Sequence, residues 1–441
     1  MKLFSPTPPL TRLAWRLSLA LATLAPAAQA ALAKGPKDPY LDAEVLVRLH
    51  STAGLGPLLA KHQLTLVRQS GARPIYRLGL APGDSVGAKV KALALEPEVI
   101  AAEANVRPRA PEARKNAVWA IGSEVEYRAQ WAPAAMRLPA AQRITQGAGI
   151  RVAVLDTGVD LTHPALAGKL LPGRDFVDGD DDPREEGDRT NAGFGHGTHV
   201  AGLVALAAPA AQIVPIRVLD AEGRGDVWML ADALAYAVDP DGDPATDDGA
   251  HVVNMSLGTL DRTRILDAVM TLSACAIPAP GPSPDTDYTD AGYDGDKARC
   301  AAAGGAVIIA SAGNEGRSDV KEYPAAEGVY GLLPVGASAA DHRLADFSNR
   351  GSWVDVAAPG DHITSTVPGG QYGTWSGTSM ASPLAAGVAA LVRARSPKLR
   401  PVDVTKRLEK SGAALCGATQ IVQVDALAAV KNQQAPDLSC L

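Results

Sequence analysis

Aromatic side chains are scarce in this chain of 441 residues: Phe, Tyr and Trp make up 4% of it, although hydrophobic residues make up 46%. Its core must therefore be built mainly from Ala, Val and Leu, which favours helices packed closely on a sheet. A basic block is also missing, and the net charge is −6. Because a nucleic-acid surface needs clustered Lys and Arg, we expect no nucleic-acid partner.

No segment after the N-terminus is long and apolar enough to be a membrane helix. An apolar run at residues 17–25 follows three basic residues. A small-x-small sequence at 28–30 comes next and is typical of a signal-peptide cleavage site. The run is shorter than the roughly 20 residues that span a bilayer. We expect a signal peptide over residues 1–30, cut after Ala30 or alternatively after Ala33, and a protein secreted to the periplasm or outside the cell without a membrane span. The alternative is a disordered or anchoring N-terminal segment.

Cysteine is absent before residue 275, and no CxxC pair occurs, which argues against a redox motif or a zinc ribbon. The four cysteines are Cys275, Cys300, Cys416 and Cys440. An even count in an exported chain favours disulfides over free thiols. Four cysteines allow three connectivities, and we favour Cys275–Cys300 with Cys416–Cys440 because each pair closes a short local loop.

Residues 38–107 have the pattern of a small α+β unit. Three strand-like and two helix-like segments within about 70 residues favour a compact sandwich. The strand-like segments are 44–49, 75–78 and 99–103, and the helix-like segments are 56–63 and 86–95. Pro, Ala and charged residues become more frequent between residues 107 and 149, so we interpret the start of that stretch as a linker.

From residue 149 onward, nearly continuous apolar strands alternate with helix-like segments. The strands are expected at 150–155, 213–219, 251–257, 306–312 and 332–337, and helices at 227–238, 266–276 and 385–394. This alternation predicts an α/β domain with a doubly wound, mostly parallel sheet covered on both faces. An active site in such a domain lies beyond the carboxyl ends of the strands.

Three motifs carry the candidate chemistry. Asp156-Thr157-Gly158 ends the first strand of this domain, His196–Gly202 opens one apolar helix, and Gly377–Pro383 opens another. A serine hydroxyl needs an adjacent imidazole to take its proton, and the imidazole needs a carboxylate to fix its tautomer and stabilise its cation. We therefore predict Ser379 as nucleophile, His196 as general base and acid, and Asp156 as the orienting carboxylate.

A fourth motif, Ser311-Ala312-Gly313-Asn314, ends another apolar strand. Its Asn314 side chain can donate to the oxyanion that forms when Ser379 attacks a carbonyl group. Taken singly, each motif has an ordinary structural alternative. Asp156 could sit in a plain turn, and Ser379 could be a helix N-cap. The combination of motifs in this order argues against those alternatives.

The chain order Asp, His, Ser, with DTG, HGTHVAG and GTSMASP, resembles that of the subtilisin-type serine peptidases. With the segments 254–258 and 311–314, the resemblance covers roughly residues 135 to 412. It implies a subtilisin-like fold, hydrolysis of internal peptide bonds through an acyl-enzyme, and no cofactor for the chemistry. Broad, mostly apolar specificity is the default expectation.

The resemblance also implies a substrate cleft formed by two short segments. Its substrate-binding residues are Ser256, Leu257 and Gly258 from one segment, and Ser311, Ala312 and Gly313 from the other. The first segment would pair with the extended substrate as an added strand. Both segments would supply walls of the pocket for the residue before the scissile bond.

The N-terminal unit is similar to the inhibitor-like propeptides of this family. The resemblance therefore implies a monomeric zymogen with an inhibitor-like propeptide over residues 31–110 and a peptidase domain over 111–441. Its partners are protein or peptide substrates and its own propeptide. Autocleavage is expected between Asn105 and about Gln130. Tyr323-Pro324-Ala325 falls where family members carry a Tyr-Pro-Ala, so the resemblance allows a cis Pro324.

Metal sites receive weaker support from the sequence. His196 and His199 lack the HExxH pattern of zinc peptidases, so we interpret His199 as a structural side chain. The Asp-rich segments 178–188 and 239–248 resemble calcium loops in composition, although neither has EF-hand spacing. Structural calcium stays open as an expectation. The loop 278–296, inside the first favoured disulfide, could border the cleft or decorate the surface, and we interpret it as surface decoration.

Two other functions remain as alternatives. A catalytically silent binding protein could use the same fold, although such a protein usually lacks one of the four candidate catalytic residues. A dedicated maturation protease that cuts a single partner would use the same chemistry. Labelling by a fluorophosphonate distinguishes an endopeptidase from a silent binding protein. A peptide-library cleavage profile distinguishes it from a dedicated maturation protease.

Overall fold

The computed structural model describes residues 40–110, 120–277, 287–417, 420–438 and 440. The expected signal peptide over residues 1–30 lies outside these residues. Within them, none of the helices combines the length and the apolar composition that crossing a membrane requires.

Residues 40–106 form the expected α+β unit. Its elements are β1 (Tyr40–Leu49), α1 (Leu55–His62), β2 (Thr65–Gln69), β3 (Ile75–Gly79), α2 (Val86–Leu93) and β4 (Val99–Val106). The strands form an antiparallel sheet in the order β2-β3-β1-β4. The three expected strands and both helices are confirmed. Strand β2 was not predicted, because four of its five residues are exposed and leave no apolar pattern.

The two faces of strand β1 pack on different cores. Val45, Val47 and Leu49 share a hydrophobic cluster with residues of α1 and α2. Leu46, on the opposite face, belongs to a cluster of the larger domain that also contains residues of helices further along the chain. Alternate side chains of a strand point to opposite faces, so this single strand joins the small unit to the larger one.

The larger domain contains the expected doubly wound, mostly parallel sheet. Nine strands follow the order β15-β16-β12-β11-β10-β9-β6-β8-β7, and neighbouring pairs are parallel except β15 with β16. A separate antiparallel sheet has the order β13-β14-β5. The elements of the domain are β5 (Ala120–Gly122), α3 (Glu124–Ala129), α4 (Trp131–Ala135), α5 (Leu138–Gln142), β6 (Arg151–Asp156), β7 (Arg174–Asp175), α6 (His196–Ala207), β8 (Gln212–Arg217), α7 (Val227–Val238), β9 (Val252–Met255), α8 (Arg264–Ser273), α9 (Asp294–Ala302), β10 (Val307–Ser311), β11 (Leu332–Ser338), β12 (Val356–Pro359), β13 (Ile363–Val367), β14 (Gln371–Trp375), α10 (Thr378–Arg395), α11 (Pro401–Ser411), β15 (Ala413–Ala414), β16 (Val422–Gln423) and α12 (Ala426–Lys431).

Helices cover both faces of the parallel sheet. Val152 and Val154 of β6 pack in one cluster with buried residues of α6 and α10. Ala153 and Leu155 of the same strand pack in another cluster with residues of α7 and α8. Each expected strand and helix of this domain is present, and the helix expected at 385–394 is the middle of the longer α10.

The structure contains the favoured disulfide pairs, Cys275–Cys300 and Cys416–Cys440. The peptide bond between Tyr323 and Pro324 is cis, as the resemblance allowed. The loop 278–296 is only partly described, and its described part does more than decorate the surface. Asp287 and Asp296 contact the N-terminal unit through His50 and Arg73, which corrects our interpretation of this loop.

Candidate active site

Strand β6 ends at Asp156, whose side chain pairs with His196. The distance from His196 Nδ1 to Asp156 Oδ1 is 2.6 Å, and both side chains are 1% exposed. Thr157 N donates to the same carboxylate oxygen at 2.8 Å. An imidazole that shares a buried hydrogen bond with a carboxylate is held in one orientation, and its cation is stabilised when it accepts a proton.

Glycines allow these two motifs to approach each other. His196 is the first residue of α6, after Gly195 with φ +86°. A Cβ atom added to Gly197 would lie 2.1 Å from Gly158 O, well inside contact distance. Any larger residue at position 197 would therefore push His196 away from Asp156.

Trp375 lies beside both histidines of the His196–Gly202 motif. Its ring stacks on His199 with centroids 4.9 Å apart and lies 5.9 Å from the His196 ring. The Nε2 atom of His199 lies 3.2 Å from Gly373 O. His199 is thus a buried side chain of the packing behind His196. The sequence did not predict Trp375, because it lies far from His196 along the chain and belongs to no motif.

Ser379 lies in the first turn of α10, and its surroundings are fixed by β9. Its Oγ atom donates to Ser256 O at 3.3 Å. Ser256 Oγ in turn donates to Ser379 O at 3.1 Å and accepts from Asn254 Nδ2 at 3.0 Å. Ser382 Oγ donates to Asn254 Oδ1 at 2.7 Å. Three hydrogen bonds therefore connect the first turns of α10 with the end of β9 and the residue that follows it.

The Asn314 side chain lies next to the same helix start. Its Oδ1 atom accepts two hydrogen bonds of 2.9 Å, from Thr378 N and from Thr378 Oγ1. This pairing assigns Oδ1 to the helix and makes Nδ2 the donor end of the side chain. Asn314 is 4% exposed, so the amide group is held in a defined orientation beside Ser379.

The predicted cleft segments contribute backbone more than side chains. Leu257 and Ala312 are fully buried in hydrophobic clusters, and Ser256 and Ser311 are 0% exposed. Gly258, in contrast, forms an antiparallel bridge with Arg109, through bonds of 2.8 Å (Arg109 N to Gly258 O) and 2.9 Å (Gly258 N to Arg109 O). Gly313 has φ +95°, which favours glycine.

A third cleft segment, Gly223–Gly225, was not predicted. Ala110 N donates to Gly223 O at 3.0 Å, and Gly225 N donates to Pro108 O at 3.1 Å. Residues 108–110 thus form the central strand of a short antiparallel arrangement between 223–225 and Gly258. The two glycines after β8 were the available sequence signal, but glycine-rich turns are too common to identify a cleft.

Glu185 is a buried carboxylate that links the Asp156 and His196 motifs and was also not predicted. It accepts hydrogen bonds from Thr157 Oγ1 at 2.6 Å, Thr198 Oγ1 at 2.8 Å and Thr198 N at 3.2 Å. Burial raises the pKa of Glu185 to about 7, against the opposing effect of these hydrogen bonds. The Glu185 carboxylate therefore fixes Thr157 and Thr198 relative to each other, and with them the Asp156 and His196 motifs.

The two acidic segments differ in their surroundings. At the first segment, 178–188, the buried Arg217 forms ion pairs with three carboxylates. These belong to Asp175, Asp178 and Glu186, at 2.5 Å, 2.6 Å and 2.9 Å. Arginine thus supplies the positive charge there. In the second, carboxylate oxygens of three residues lie within 4.8 Å of one another. These residues are Asp239, Asp241 and Asp248.

Comparisons with known proteins agree with this geometry. Residues 147–433 match the family model described as the Subtilase family. The thermophilic serine proteinase of Bacillus sp. (strain AK1) is 33% identical over 399 residues, covering 86% of this chain and 84% of that protein. Thermitase of Thermoactinomyces vulgaris is 36% identical over 274 residues, covering 60% of this chain and 81% of thermitase.

A solved structure supports the fold. Fervidolysin from Fervidobacterium pennivorans, described as a keratinolytic enzyme related to subtilisin, superposes with a TM-score of 0.67 at 24% identity. The match covers 90% of this chain but only 62% of that chain, and at this identity it bears on the fold alone. The family match covers well over half of the sequence, and its motifs meet at the carboxyl ends of the parallel strands. The chain therefore belongs to the subtilase family and is a serine endopeptidase of the subtilisin type.

Proposed function

We propose that Ser379 is the nucleophile of this endopeptidase, with His196 as its base, Asp156 as the orienting carboxylate and Asn314 as the oxyanion donor. Ser379 Oγ adds to the substrate carbonyl carbon while His196 takes its proton. The oxyanion accepts from Asn314 Nδ2 and the Ser379 backbone amide. His196 then gives its proton to the leaving amine, and water releases the acyl group by the same steps.

One observation carries this proposal: a peptide strand already lies in the cleft that leads to Ser379. Residues 108–110 are hydrogen-bonded on one side to Gly258 and on the other to Gly223 and Gly225. An extended substrate would make the same main-chain bonds, which do not depend on its side chains. These bonds would hold a scissile bond close to the reacting groups, and such positioning is a large part of catalysis.

We also propose that residues 31–110 are an inhibitory propeptide of a zymogen, released by cleavage between Asn105 and about Gln130. Support comes from two side chains of β4 that reach helix starts of the larger domain. Glu103 accepts from Arg264 N at 2.8 Å and Ile265 N at 3.1 Å, at the start of α8. Asn105 Oδ1 accepts from Trp228 N at 3.1 Å, at the start of α7. Such contacts satisfy helix N–H groups that would otherwise bond to water.

A second set of contacts supports the same proposal. Arg73 makes two hydrogen bonds of 2.7 Å to the carboxylate of Asp296, which is 5% exposed. Arg48 donates to Asp287 O at 2.8 Å and to Tyr293 Oη at 3.1 Å. Paired arginine–carboxylate bonds of this kind are geometrically specific. The N-terminal unit is thus bound at the cleft and at the insertion behind it.

Export belongs to the same proposal. The signal-like residues 1–30 and two disulfides fit a protein that folds in an oxidising compartment, in the periplasm or outside the cell. Protein substrates, a single subunit and an intramolecular inhibitor complete the proposal.

Calcium, if bound, would be structural, and the loop 239–248 fits it better than 178–188. Asp239 Oδ1 is buried and has no hydrogen-bond partner among the described residues. Burial and the neighbouring Asp248 raise the pKa of Asp239. A hard cation with oxygen ligands would relieve both effects. Asp239, Asp241 and Asp248 are the side chains that would hold it.

The direct test is Ser379→Ala in the full chain, with casein digestion and removal of the N-terminal unit as readouts. We expect both to stop, because losing the nucleophile of such a unit costs about 10⁶ in turnover, the magnitude known for subtilisin. Continued digestion by the variant would refute the proposal.

Fluorophosphonate labelling separates the alternatives. The wild-type protein should be labelled on Ser379, and the alanine variant should not. A folded wild-type protein that resists labelling would be a silent binding protein. If one sequence dominates the cleavage profile of a peptide library, the enzyme is a dedicated maturation protease.

A further inference from the structure

The carboxylate of Glu322 lies between the two predicted walls of the cleft, 256–258 and 311–313. A Cβ atom added to Gly258 would lie 2.5 Å from Glu322 Cγ and 2.7 Å from Oε1. A Cβ atom added to Gly313 would lie 2.1 Å from Glu322 Oε2. These distances are shorter than real contacts, so the two glycines leave the space that the carboxylate occupies. Glu322 is 0% exposed.

The backbone around Glu322 holds the carboxylate in this place. Tyr323 and Thr259 exchange two backbone hydrogen bonds of 2.8 Å, so the chain after Glu322 is paired with the chain after Gly258. Ala326 N donates to Glu322 O at 2.9 Å. Because the backbone on its C-terminal side is fixed, Glu322 belongs to the wall structure and is not a surface group that can turn to solvent.

The bridge between Gly258 and Arg109 indicates which substrate residue meets this carboxylate. In an antiparallel pair, two steps back along one strand match two steps forward along the other. Two steps back from Gly258 is Ser256, whose carbonyl oxygen lies 3.3 Å from Ser379 Oγ. A substrate residue opposite Ser256 therefore presents its carbonyl carbon to Ser379. This is the residue before the scissile bond, and its pocket is the one that Glu322 closes.

A second carboxylate adds negative charge at the same point. The Cβ position of Gly313 lies 3.0 Å from Glu315 Oε2, and that carboxylate accepts a 2.7 Å hydrogen bond from the neutral amide of Asn349. Charges in a pocket with little water interact strongly. A guanidinium group can pair with a carboxylate through two parallel bonds, and an ammonium group supplies a compact charge. An apolar side chain would offer the carboxylate neither a positive charge nor a hydrogen-bond donor.

We propose that Glu322 is the specificity-determining residue of this peptidase and selects Arg or Lys before the scissile bond. The proposal rests on the proposed function, since it assigns a substrate class to the same cleft. It replaces the default expectation of broad, apolar specificity.

The test uses p-nitroanilides of acetyl-Pro-Ala-Ala-X, where X is Arg, Lys, Phe or Leu. The Pro and the second Ala match Pro108 and Ala110 in the paired strand, and X carries the only cation. We expect kcat/KM for Arg and Lys to exceed that for Phe and Leu roughly 100-fold, because a cation beside the Glu322 carboxylate is attracted strongly where little water screens the charges. Glu322→Gln should reduce this ratio at least about tenfold by lowering the rates for Arg and Lys.

Glu327→Gln is the matched control. Glu327 is also buried, but its carboxylate lies 2.9 Å from Arg262 Nε, away from the pocket glycines. Its removal should leave the ratio unchanged. A wild-type experiment covers the case in which Glu322→Gln does not fold: benzamidine should inhibit hydrolysis of the Phe peptide competitively, and neutral benzyl alcohol should not.

Two outcomes would overturn the proposal: a wild-type preference for Phe or Leu, or an unchanged ratio in a folded Glu322→Gln variant. Equal inhibition by benzamidine and benzyl alcohol would also count against it. If the wild-type enzyme cleaves none of the peptides and resists fluorophosphonate, the proposed function fails instead. The two failures are therefore distinguishable.

Discussion

At the scale of single residues, the candidate catalytic groups are oriented by threonines of their own motifs. Thr157 and Thr198 both bond to Glu185, which lies behind Asp156 and His196. Thr378 bonds to Asn314 Oδ1 and, through Oγ1, accepts from Gly313 N at 3.0 Å. Each threonine thus has a structural task that its motif spacing alone does not reveal.

Replacing Asn314 by Ala should lower kcat about 10²–10³-fold with little change in KM, the loss known for such a donor in subtilisin. The physical reason is that the Nδ2 donor stabilises charge that appears only in the transition state. Steady-state kinetics on a single anilide substrate measures both constants.

Thr378→Val is a graded companion to that variant. It keeps the Asn314 amide but removes one of the bonds that orient it, so a smaller loss of kcat is expected. A rise in KM at constant kcat for Asn314→Ala would contradict the oxyanion role.

Residues that lie within a recognisable local motif could be predicted at this scale. Residues that gain their role only through contacts with distant parts of the chain could not. Asp156, His196 and Ser379 could be proposed from the sequence because each lies in a motif that needs glycines beside a reactive group. Glu322 could not be found, since its role depends on contact with Gly258, which lies in another element. Its position emerges only when the segments after β9 and β10 are brought side by side.

At the scale of elements, strand β4 provides the clearest link between the two units. Glu103 and Asn105 alternate along it with residues of its other face and reach the starts of α8 and α7. One strand therefore supplies hydrogen-bond acceptors for the N–H groups at the starts of two helices.

We expect Glu103 to make the stability of the uncut chain depend on pH. Burial raises the pKa of Glu103 from 4.5 to about 7, although two backbone N–H groups act in the opposite direction. The folded state then binds a proton more tightly than the unfolded state. This contribution is fully present below pH 4.5 and is lost as the pH rises towards 7. Thermal unfolding of the full chain carrying Ser379→Ala, measured between pH 5 and 8, tests this slope.

Glu103→Gln should flatten part of that slope, and the exposed Glu124→Gln should not. Glu185 contributes in the same direction, with a pKa raised to about 7, so some slope should remain in every variant. An identical pH profile with and without Glu103 would contradict the prediction.

Strands and helices could be predicted where their burial requires a recognisable pattern of apolar residues in the sequence. Strands β6, β8, β9, β10 and β11 are nearly continuous apolar runs because both faces of the sheet are covered. Strand β2 is mostly exposed and has no such pattern. Strand β14 has partly exposed residues on either side of the buried Gly373, but this glycine and the neighbouring Gly370 resemble a turn.

At the scale of the whole molecule, the chain carries both the enzyme and the strand that fills its cleft. If Glu322 selects basic residues, the maturing cut should follow the first basic residues beyond the paired strand 108–110. These are Arg114 and Lys115. Extended by two residues, the pairing of Arg109 with Gly258 would bring residue 111 opposite Ser256, so the strand must move by three or four residues along the cleft before this cut. N-terminal sequencing of the mature protein should therefore find Lys115 or Asn116 as the first residue.

The double variant Arg114→Gln and Lys115→Gln provides the control, since it should mature more slowly while Ser379 stays reactive towards fluorophosphonate. A mature N-terminus that follows an apolar residue, such as Ala113 or Ala117, would count against basic specificity in self-processing.

The insertion closed by Cys275–Cys300 has a consequence for how this enzyme relates to others of its kind. Arg73 of the N-terminal unit pairs with the Asp296 carboxylate, and Arg48 donates to the main-chain oxygen of Asp287 and to Tyr293 Oη. An N-terminal unit without Arg73 would remove both 2.7 Å hydrogen bonds to the buried Asp296 carboxylate. If the N-terminal unit is the inhibitory propeptide proposed above, these contacts would make each precursor of a mixture of similar proteases bind its own N-terminal unit in preference to that of another protease.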